Sequence, residues 1–588
     1  MTLKNLREFL RVLEREGQLL TIDVEVDPYL EVAEIHRRVI EQSGPALLFK
    51  HLKNSPFPVV TNLFGTAKRI ELAFGKRPEA LIRQLVEFAQ QLFPLKLSRL
   101  WNHRNLAGEI FRIGTRTVNQ GPILECHQQT ADLNTLPILT TWDQDGGPFI
   151  TLPLVYTEHP ENKTHNLGIY RMQRHNSRTA GMHWQIQKGG GFHYGVAESL
   201  DQSLPVTVFL GGPPALILAA VTPLPENVGE LLVASLLSGE RIPMVRETSM
   251  THPFPAEAEF VLTGTVPPYQ RHPEGPFGDH YGYYSLKHDY PIFNLQNIFH
   301  RPDAIYPATV VGKPKQEDFF IGDYLQELLS PIFPMVMPGV RDLWSYGEVG
   351  FHSLAAAVVH ERYNHEAMTT AFRILGEGQL SLTKFLIAVN SPIDLKDFPN
   401  LLRHVLERIE WETDLFIISN ISMDTLDYSG PKVNEGSKAI MLGLGSPKRQ
   451  LPSKFQGNLP SVIREAHVFC PGCLVLAGPN FSEGDGHPER IVSWPAFQDW
   501  PLLILADESI FAESSAKFLW TVFTRFEPAA DIYSKNVAVH RHHLSYSPPI
   551  LIDSRMKTNY PSELFCSPEI SQIVDKRWTE YFPNGLKL

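Results

Sequence analysis

Leu6, Phe9, Leu10 and Leu13 repeat at the i, i+3, i+4, i+7 spacing of one helix face, and Gly17 stands where such a helix stops. The chain is therefore predicted to open with an amphipathic helix. From Pro28 to Leu97, helical patterns at Tyr29 to Ile40 and Pro78 to Leu92 alternate with short apolar runs at Ala46-Leu-Leu-Phe and Pro58-Val-Val. That alternation predicts an α/β domain over residues 1–115. Over residues 116–313 the character changes: Thr151-Leu-Pro-Leu-Val-Tyr-Thr, Pro205-Val-Thr-Val-Phe-Leu and Phe260-Val-Leu-Thr read as strands punctuated by Gly and Pro, so a β-rich domain is expected. Helices and strands alternate again over residues 314–588.

This last region repeats itself. Laid over one another at an offset of 117, residues 386–414 and 503–531 share eight of 29 positions, among them Arg408/Arg525, Glu410/Glu527 and Asp414/Asp531. The first copy reads strand (Phe385-Leu-Ile-Ala-Val), helix (Asn400 to Ile409), strand (Asp414-Leu-Phe-Ile-Ile), a βαβ-type unit, so two related halves at about 386–440 and 503–557 are predicted. The plainer account is that any two such units place Leu and Ile at core positions; the ungapped charged matches favour duplication.

Composition narrows the classes. Of 588 residues, 43% are apolar and 20% charged, the balance of a compact water-soluble protein, and the net charge of −11 argues against nucleic acid or an anionic membrane as partner. The longest central apolar run, Pro213 to Val221, is far shorter than the ~20 residues of a spanning helix, and the charged start Met-Thr-Leu-Lys-Asn-Leu-Arg-Glu carries no secretory signal. With only Cys126, Cys470, Cys473 and Cys566, a reducing, cytoplasmic setting is expected; the lone Cys470-Pro-Gly-Cys473 pair reads as a loop with two thiols rather than a zinc or thioredoxin motif. P-loop, GxSxG and HExxH motifs are absent, and His360 and His365 are spaced five apart, off a shared helical face. The Gly189-Gly-Gly run after Lys188 lets backbone approach an anion, or is simply a flexible turn.

Chemistry concentrates in the middle region. Asn166-Leu-Gly-Ile-Tyr-Arg171 sets a carboxamide and a guanidinium close together, and Glu274-Gly-Pro-Phe-Gly-Asp279 holds two carboxylates around Gly and Pro. One acid can orient the guanidinium, the Arg can bind an anionic substrate and the second acid can carry a proton. Read alone, an Arg and two acids so placed are more often a structural surface ion pair.

Together with Gly181-Met-His-Trp-Gln185, Pro255-Ala-Glu-Ala-Glu259-Phe-Val, Glu274-Gly-Pro-Phe-Gly-Asp-His-Tyr-Gly-Tyr-Tyr and Val311-Gly-Lys-Pro with Glu317-Asp318, these stretches resemble the UbiD-like decarboxylases, which use prenylated FMN. The resemblance runs from the first helix to at least residue 445. It implies a central split β-barrel, like that of flavin reductases, between two α/β domains. It implies Arg171 as substrate-orienting residue, held by Glu274, and Asp279 as proton donor with a raised pKa. It implies Asn166 and Glu259 as ligands of a divalent metal, manganese in most members, bridging the cofactor phosphate, with K+ as a further optional ion. Ile169, Tyr170, Arg171, His183, Trp184, Gln185, Lys188 and Gly189 match cofactor-contacting segments.

The sequence departs from the family in two places. Gln187 and Lys188 stand where some members carry a third, histidine ligand, and Gly436-Ser437-Lys438 and Ile552-Asp553-Ser554, neighbours in the family, lie over a hundred residues apart, so Lys438 and Lys557 are both candidates for a phosphate lysine. The activity implied is decarboxylation of an aromatic or unsaturated acid, first 4-hydroxy-3-polyprenylbenzoate in quinone (ubiquinone) biosynthesis and alternatively a naphthoate of menaquinone biosynthesis; a redox flavoprotein with plain FMN is the rival of another class. A polyprenylated substrate would bring the protein to the membrane periphery, a flavin prenyltransferase would supply the cofactor, and the apolar clusters Phe518-Leu-Trp, Thr521-Val-Phe and Pro548-Pro-Ile-Leu-Ile point to a homo-oligomer through the C-terminal domain.

Overall fold

The computed structural model describes residues 3–92, 113–184, 189–224, 228–247, 250–313 and 315–586. It divides into two compact units, Met1–Leu328 with Ser562–Leu588, and Leu329–Pro561. The expected boundary near 115 thus falls inside the first unit.

The opening helix is Leu6–Arg15, started by the Asn5 side chain, which accepts the Glu8 N–H, and it buries Leu6, Phe9, Leu10 and Leu13. Gly17, at φ +67°, follows its end. Strands Leu19–Val26, Ala46–Leu52 and Val59–Thr61 form a sheet completed by Tyr306–Pro307, from the far side of the β-rich region. A second sheet is antiparallel and eight-stranded, and its main path runs Thr179–Gly181, His288–His300, Phe260–Val266, Leu204–Leu210, Leu154–Glu158, His165–Ile169. Strands Arg271–Glu274 and Cys126–Gln128 also pair with His288–His300.

Strand Leu204–Leu210 shows why this region reads as continuous apolar runs. Val206, Val208 and Leu210 enter one core with Phe260 and Leu262. Phe209, between them, turns to the other face, a core shared with Leu216 and Leu218 of helix Pro214–Val221. The apolar run of Pro213 to Val221 is thus a short core helix, and among the described residues no helix is long and apolar enough to cross a membrane.

The second unit holds two five-stranded sheets with one plan. Val340–Ser345, Leu354–Val359, Phe385–Val389, Glu435–Gly443 and Leu415–Ser422 lie in that order, as do Glu465–Cys470, Cys473–Ala477, Leu502–Ala506, His543–Asp553 and Ile532–His540. Successive pairings are antiparallel, parallel, parallel and antiparallel in both. Strands Phe385–Val389 and Leu502–Ala506, and helices Phe398–Leu406 and Ser515–Arg525, start at the 117-residue offset.

The offset then slips. Leu415 pairs Met441 and Ile532 pairs Ile552, so the last strands of the two halves correspond at 111 rather than 117. The second half replaces a long connection with a two-residue hairpin at Arg541 and His542. The constant offset therefore ends before this hairpin and does not carry Gly436-Ser-Lys onto Asp553-Ser-Arg.

The halves share one core. Phe398, Leu402 and Val405 pack with Phe518, Leu519, Val522 and Phe523, and the Phe469 and Phe518 rings stack at 3.6 Å. The apolar clusters from which the sequence predicts that the halves pack together and that this domain carries a homo-oligomer interface are covered between the halves: Phe518, Phe523, Ile550 and Ile552 are each at most 5% exposed.

Candidate functional site

Arg171 follows strand His165–Ile169, and Glu274 ends strand Arg271–Glu274. From Glu274 the chain turns tightly: Asp279 N–H bonds the Tyr283 carbonyl and Ser285 N–H the Phe277 carbonyl, which fixes the Gly-Pro-Phe-Gly segment over the sheet. Arg171 Nε donates to Glu274 Oε1 at 3.2 Å, the guanidinium pairs with Asp279 Oδ2, and Nη2 donates to Ser285 Oγ at 3.3 Å. The Phe277 ring lies 4.5 Å beneath the guanidinium. Glu274 also takes His183 Nδ1 at 2.8 Å, and its Oε2 is buried without a partner.

The electrostatics differ from the expectation of a raised Asp279. Burial does push that carboxyl up, but Arg171 and then His280 outweigh it and hold the group far below the ordinary range. Glu274 is lowered as well, burial again being overcome by His183 and Arg171. Desolvation, with Arg171 adding to it, keeps His183 neutral to lower pH than usual.

The second expected cluster is rearranged. Glu259 is fully buried, but its carboxylate is held by Arg7 at 3.0 and 3.1 Å and by the Ile305 N–H at 3.0 Å, with Arg301 3.9 Å away. The two-bond pairing with Arg7 already matches the Glu259 charge, Arg301 being held more closely by Glu257 at 3.2 Å. Sheet register separates it from Asn166 besides: the line Leu167, Tyr156, Thr207, Thr263 crosses four strands, and Glu259 lies four residues from Thr263, away from Asn166's end. That is roughly 13 Å along the strand at about 3.4 Å per residue.

Beside Asn166 stands a carboxylate that the sequence reading passed over. Glu230, first residue of helix Glu230–Ser238, accepts the Leu167 N–H through Oε2 at 3.0 Å, and burial raises its pKa. Asn166 Nδ2 donates to Tyr170 Oη at 3.2 Å, which aims Oδ1 at Gly189. A Cβ on Gly189 would sit 2.1 Å from that oxygen, and one on Gly190 2.7 Å from Trp184 Nε1, a buried donor without a partner. Gly190 N–H in turn bonds Tyr170 Oη at 3.3 Å, at the start of helix Gly189–Ser199. Only glycine permits this approach, so Asn166, Tyr170, Trp184 and Gly189 form one group, with Ile169 on the adjoining strand end; Gln185 and Lys188 lie outside the described residues.

Both lysine candidates belong to the second unit. Lys438 Nζ donates to the Thr383 carbonyl at 2.7 Å, and Lys557 Nζ to Asp531, the Arg525 carbonyl and the Asp553 carbonyl at 2.9 to 3.0 Å. Lys384, not singled out from sequence, is buried against Asp427 at 2.7 Å. Cys470 and Cys473 face each other across a hairpin as free thiols.

Three domain families match in order: the 3-octaprenyl-4-hydroxybenzoate carboxy-lyase N-terminal domain over residues 10–89, the Rift-related domain over 116–314 and the C-terminal domain over 319–443. A Chlamydia muridarum protein of no stated function is 51% identical over 99% of this chain and 100% of its own. A 4-hydroxybenzoate decarboxylase component from Chlamydia pneumoniae is 49% identical over 98% of each chain. Among solved structures, vanillic acid decarboxylase of Sedimentibacter hydroxybenzoicus is 25% identical with a TM-score of 0.66, covering 78% of this chain and 96% of its own. The chlamydial relatives thus span the added half, and the solved enzyme lacks an equivalent length. With three matched domains in order and a relative at half identity named for the activity, the chain belongs to the UbiD family and is a carboxy-lyase.

Proposed function

We propose that this chain removes carbon dioxide from a hydroxylated aromatic acid with prenylated FMN as cofactor. The observation that carries the reading is the buried Arg171 held between Glu274 and Asp279 beside His183. A guanidinium with two internal counter-ions can exchange one of them for a carboxylate from outside and stay paired itself, while the carboxylate given up loses its cation.

The residues around Asn166 suit a flavin phosphate and a hard cation: an orphan indole N–H at Trp184, two glycines whose side chains would block the space, a carboxamide oxygen and the Glu230 carboxylate. Asn166 and Glu230, rather than Asn166 and Glu259, would hold the metal; the Gly189 and Gly190 backbone with Tyr170 would face the phosphate. Prenylated FMN, when bound, supplies the electron sink that an aryl carbanion lacks.

The chain's own part follows from charge. The substrate carboxylate takes the Arg171 guanidinium and displaces Asp279, while Glu274, bonded to both Arg171 and His183, keeps the guanidinium in place. Freed from Arg171, Asp279 has only the His280 contacts to set against its burial, and its pKa rises from the lowered value toward one at which it can hold a proton. When carbon dioxide has left, the Asp279 O–H gives that proton to the ring carbon. Asp279 is thus an acid only when substrate is present.

The first substrate candidate is 4-hydroxy-3-polyprenylbenzoate. The names of the chlamydial and Sedimentibacter relatives favour a second, an acid without a tail such as 4-hydroxybenzoate or vanillate. The test is to co-express the chain with a flavin prenyltransferase, identify the bound flavin by mass spectrometry and incubate the protein with each acid in D2O. Prenylated FMN with deuterium at the vacated carbon is expected. Plain FMN in protein that is redox-active and releases no carbon dioxide would overturn the reading in favour of a redox flavoprotein.

A further inference from the structure

Asp279 stands in a segment that is costly to hold still, because Gly275, Gly278 and Gly282 fall within eight residues and glycine loses more conformational freedom on ordering than any other residue. Two separate anchors hold it. The first grips the stretch before Asp279: Gly275 N–H bonds Gln173 Oε1, Gly278 N–H bonds Asp145 Oδ1 and Gly146 N–H bonds the Pro276 carbonyl, each at 2.8 Å. The Trp142 ring lies so close to Gly278 that a Cβ there would sit 2.0 Å from it. The second anchor grips the stretch after Asp279, and it comes from the far end of the chain. Leu564 N–H bonds the Gly282 carbonyl at 3.0 Å and Tyr284 N–H bonds the Ser562 carbonyl at 3.1 Å, so that Tyr283 and Glu563 face each other as an antiparallel bridge. Tyr283 is the residue whose carbonyl takes the Asp279 N–H at 3.1 Å. The end segment is itself well fixed. Leu564 is 5% exposed, in an apolar cluster with Ala33, Trp142, Tyr284 and Val310, so one cluster reaches both anchors. Glu563 pairs with Lys313 at 2.8 Å, Ser567 N–H bonds Asp143 Oδ2 at 3.0 Å, and the following helix Pro568–Tyr581 is tied to helix Glu31–Glu41 through Asp575 and Arg38 at 2.6 Å. All of this lies well past residue 443, where the last matched family domain ends.

We propose that Ser562–Ser567 is a strap that sets Asp279 in place for proton delivery, with Leu564 as its positioning residue. The inference rests on the decarboxylase reading. Leu564 acts through the backbone: its side chain seats the strap, the strap's two hydrogen bonds fix Gly282 and Tyr284, and the Tyr283 carbonyl between them fixes the Asp279 N–H. Arg171 follows a different strand, His165–Ile169, and keeps its bond to Glu274 whatever the strap does. A loosened strap therefore leaves the substrate carboxylate bound and misplaces the acid. Such a fault falls on kcat and spares KM, because the proton is handed over only in the chemical step.

Two measurements test it. In cofactor-free protein, Leu564→Ala should speed amide hydrogen exchange of the 277–285 peptide about tenfold or more while strand Leu204–Leu210 exchanges as in the wild type; unchanged exchange of 277–285 would overturn the strap. In holoenzyme given 4-hydroxybenzoate, or vanillate if that is the acid turned over, L564A should lower kcat about tenfold or more and keep KM within about twofold, and Leu564→Met should restore most of the rate. Leu13→Ala, the same truncation at a fully buried position of the first helix, should keep kcat within about twofold. An equal loss of kcat in L13A would mean that Leu564 serves general stability alone, and an unchanged kcat in L564A would also refute the positioning role. Where L564A does not yield folded protein, Leu564→Val, one methylene shorter, carries the same measurements. Failure of the wild-type holoenzyme to decarboxylate any acid sinks the parent reading instead, and the exchange of 277–285 then decides whether the strap holds the turn.

Discussion

Replacing Arg171 by methionine removes the cation from between two buried carboxylates, and the size of the effect can be worked out. The Glu274, Asp279 and Arg171 side chains are 0%, 7% and 11% exposed. At the 3.2 Å separation of Arg171 from Glu274, an effective dielectric of about 20 gives about 5 kcal/mol of attraction. Losing the guanidinium's own desolvation cost offsets part of this, so a net loss of about 3–5 kcal/mol is expected at pH 8. The sign with pH is specific. In the native protein both folded carboxyl pKa values lie below their ordinary 3.8 and 4.5, so their contribution is present above those values and lost as pH falls through the folded ones. Without Arg171, burial is opposed only by His280 at Asp279 and by His183 at Glu274, so both carboxyls lie higher than in the native protein. The variant then gains relative stability as acid neutralises them, and its deficit shrinks between pH 8 and pH 5. Urea unfolding of cofactor-free protein, followed by hydrogen exchange of the 274–285 peptide, reads the unit that carries the site. A loss below about 1 kcal/mol at pH 8, or a deficit that grows on acidification, would refute the argument.

Asp279→Asn should retain the flavin, seen by its absorbance, and lose about a hundredfold or more in turnover, because the amide can neither hold nor give the proton; a rate near wild type would remove Asp279 from the mechanism. Glu230→Gln should lower the manganese content of purified holoenzyme, measured by elemental analysis, while Glu259→Gln keeps the metal and lowers the melting temperature by leaving Arg7 without its carboxylate; the reverse pattern would restore Glu259 as ligand. Phe518→Ala, which opens a void against Phe469 and Phe398, should cost the second unit about 3–5 kcal/mol in denaturant.

How far the sequence carried depended on whether a feature was local. The first helix was legible because its apolar spacing and its stop signal lie within one dozen residues, and the paired halves because charged matches stayed in phase over 29 positions. The slip from 117 to 111 was not, since it arises in a connection whose length obeys no periodicity. Glu274 and Asp279 share one Gly-Pro turn and were readable as a unit. The direction of the Asp279 shift was hidden, because its cation comes from a residue 108 positions earlier. Glu259 sat in a stretch matching the family, yet its partner Arg7 is 252 positions away, and Glu230 opens an ordinary helix whose sequence says nothing about what its carboxylate meets.

The joined halves of the second unit have a consequence for how this protein can change. When two identical chains meet across a twofold axis, every substitution is made twice, and a side chain that grows on one side grows on the other. Here the opposing faces are written separately: Phe398 and Leu402 on one helix meet Phe518 and Phe523 on its counterpart. A bulky residue on one face can be matched by a small one on the other, a trade that a symmetric pair cannot make. The shortened hairpin at Arg541 and His542 is a change of that one-sided kind, already fixed in one half and absent from its twin.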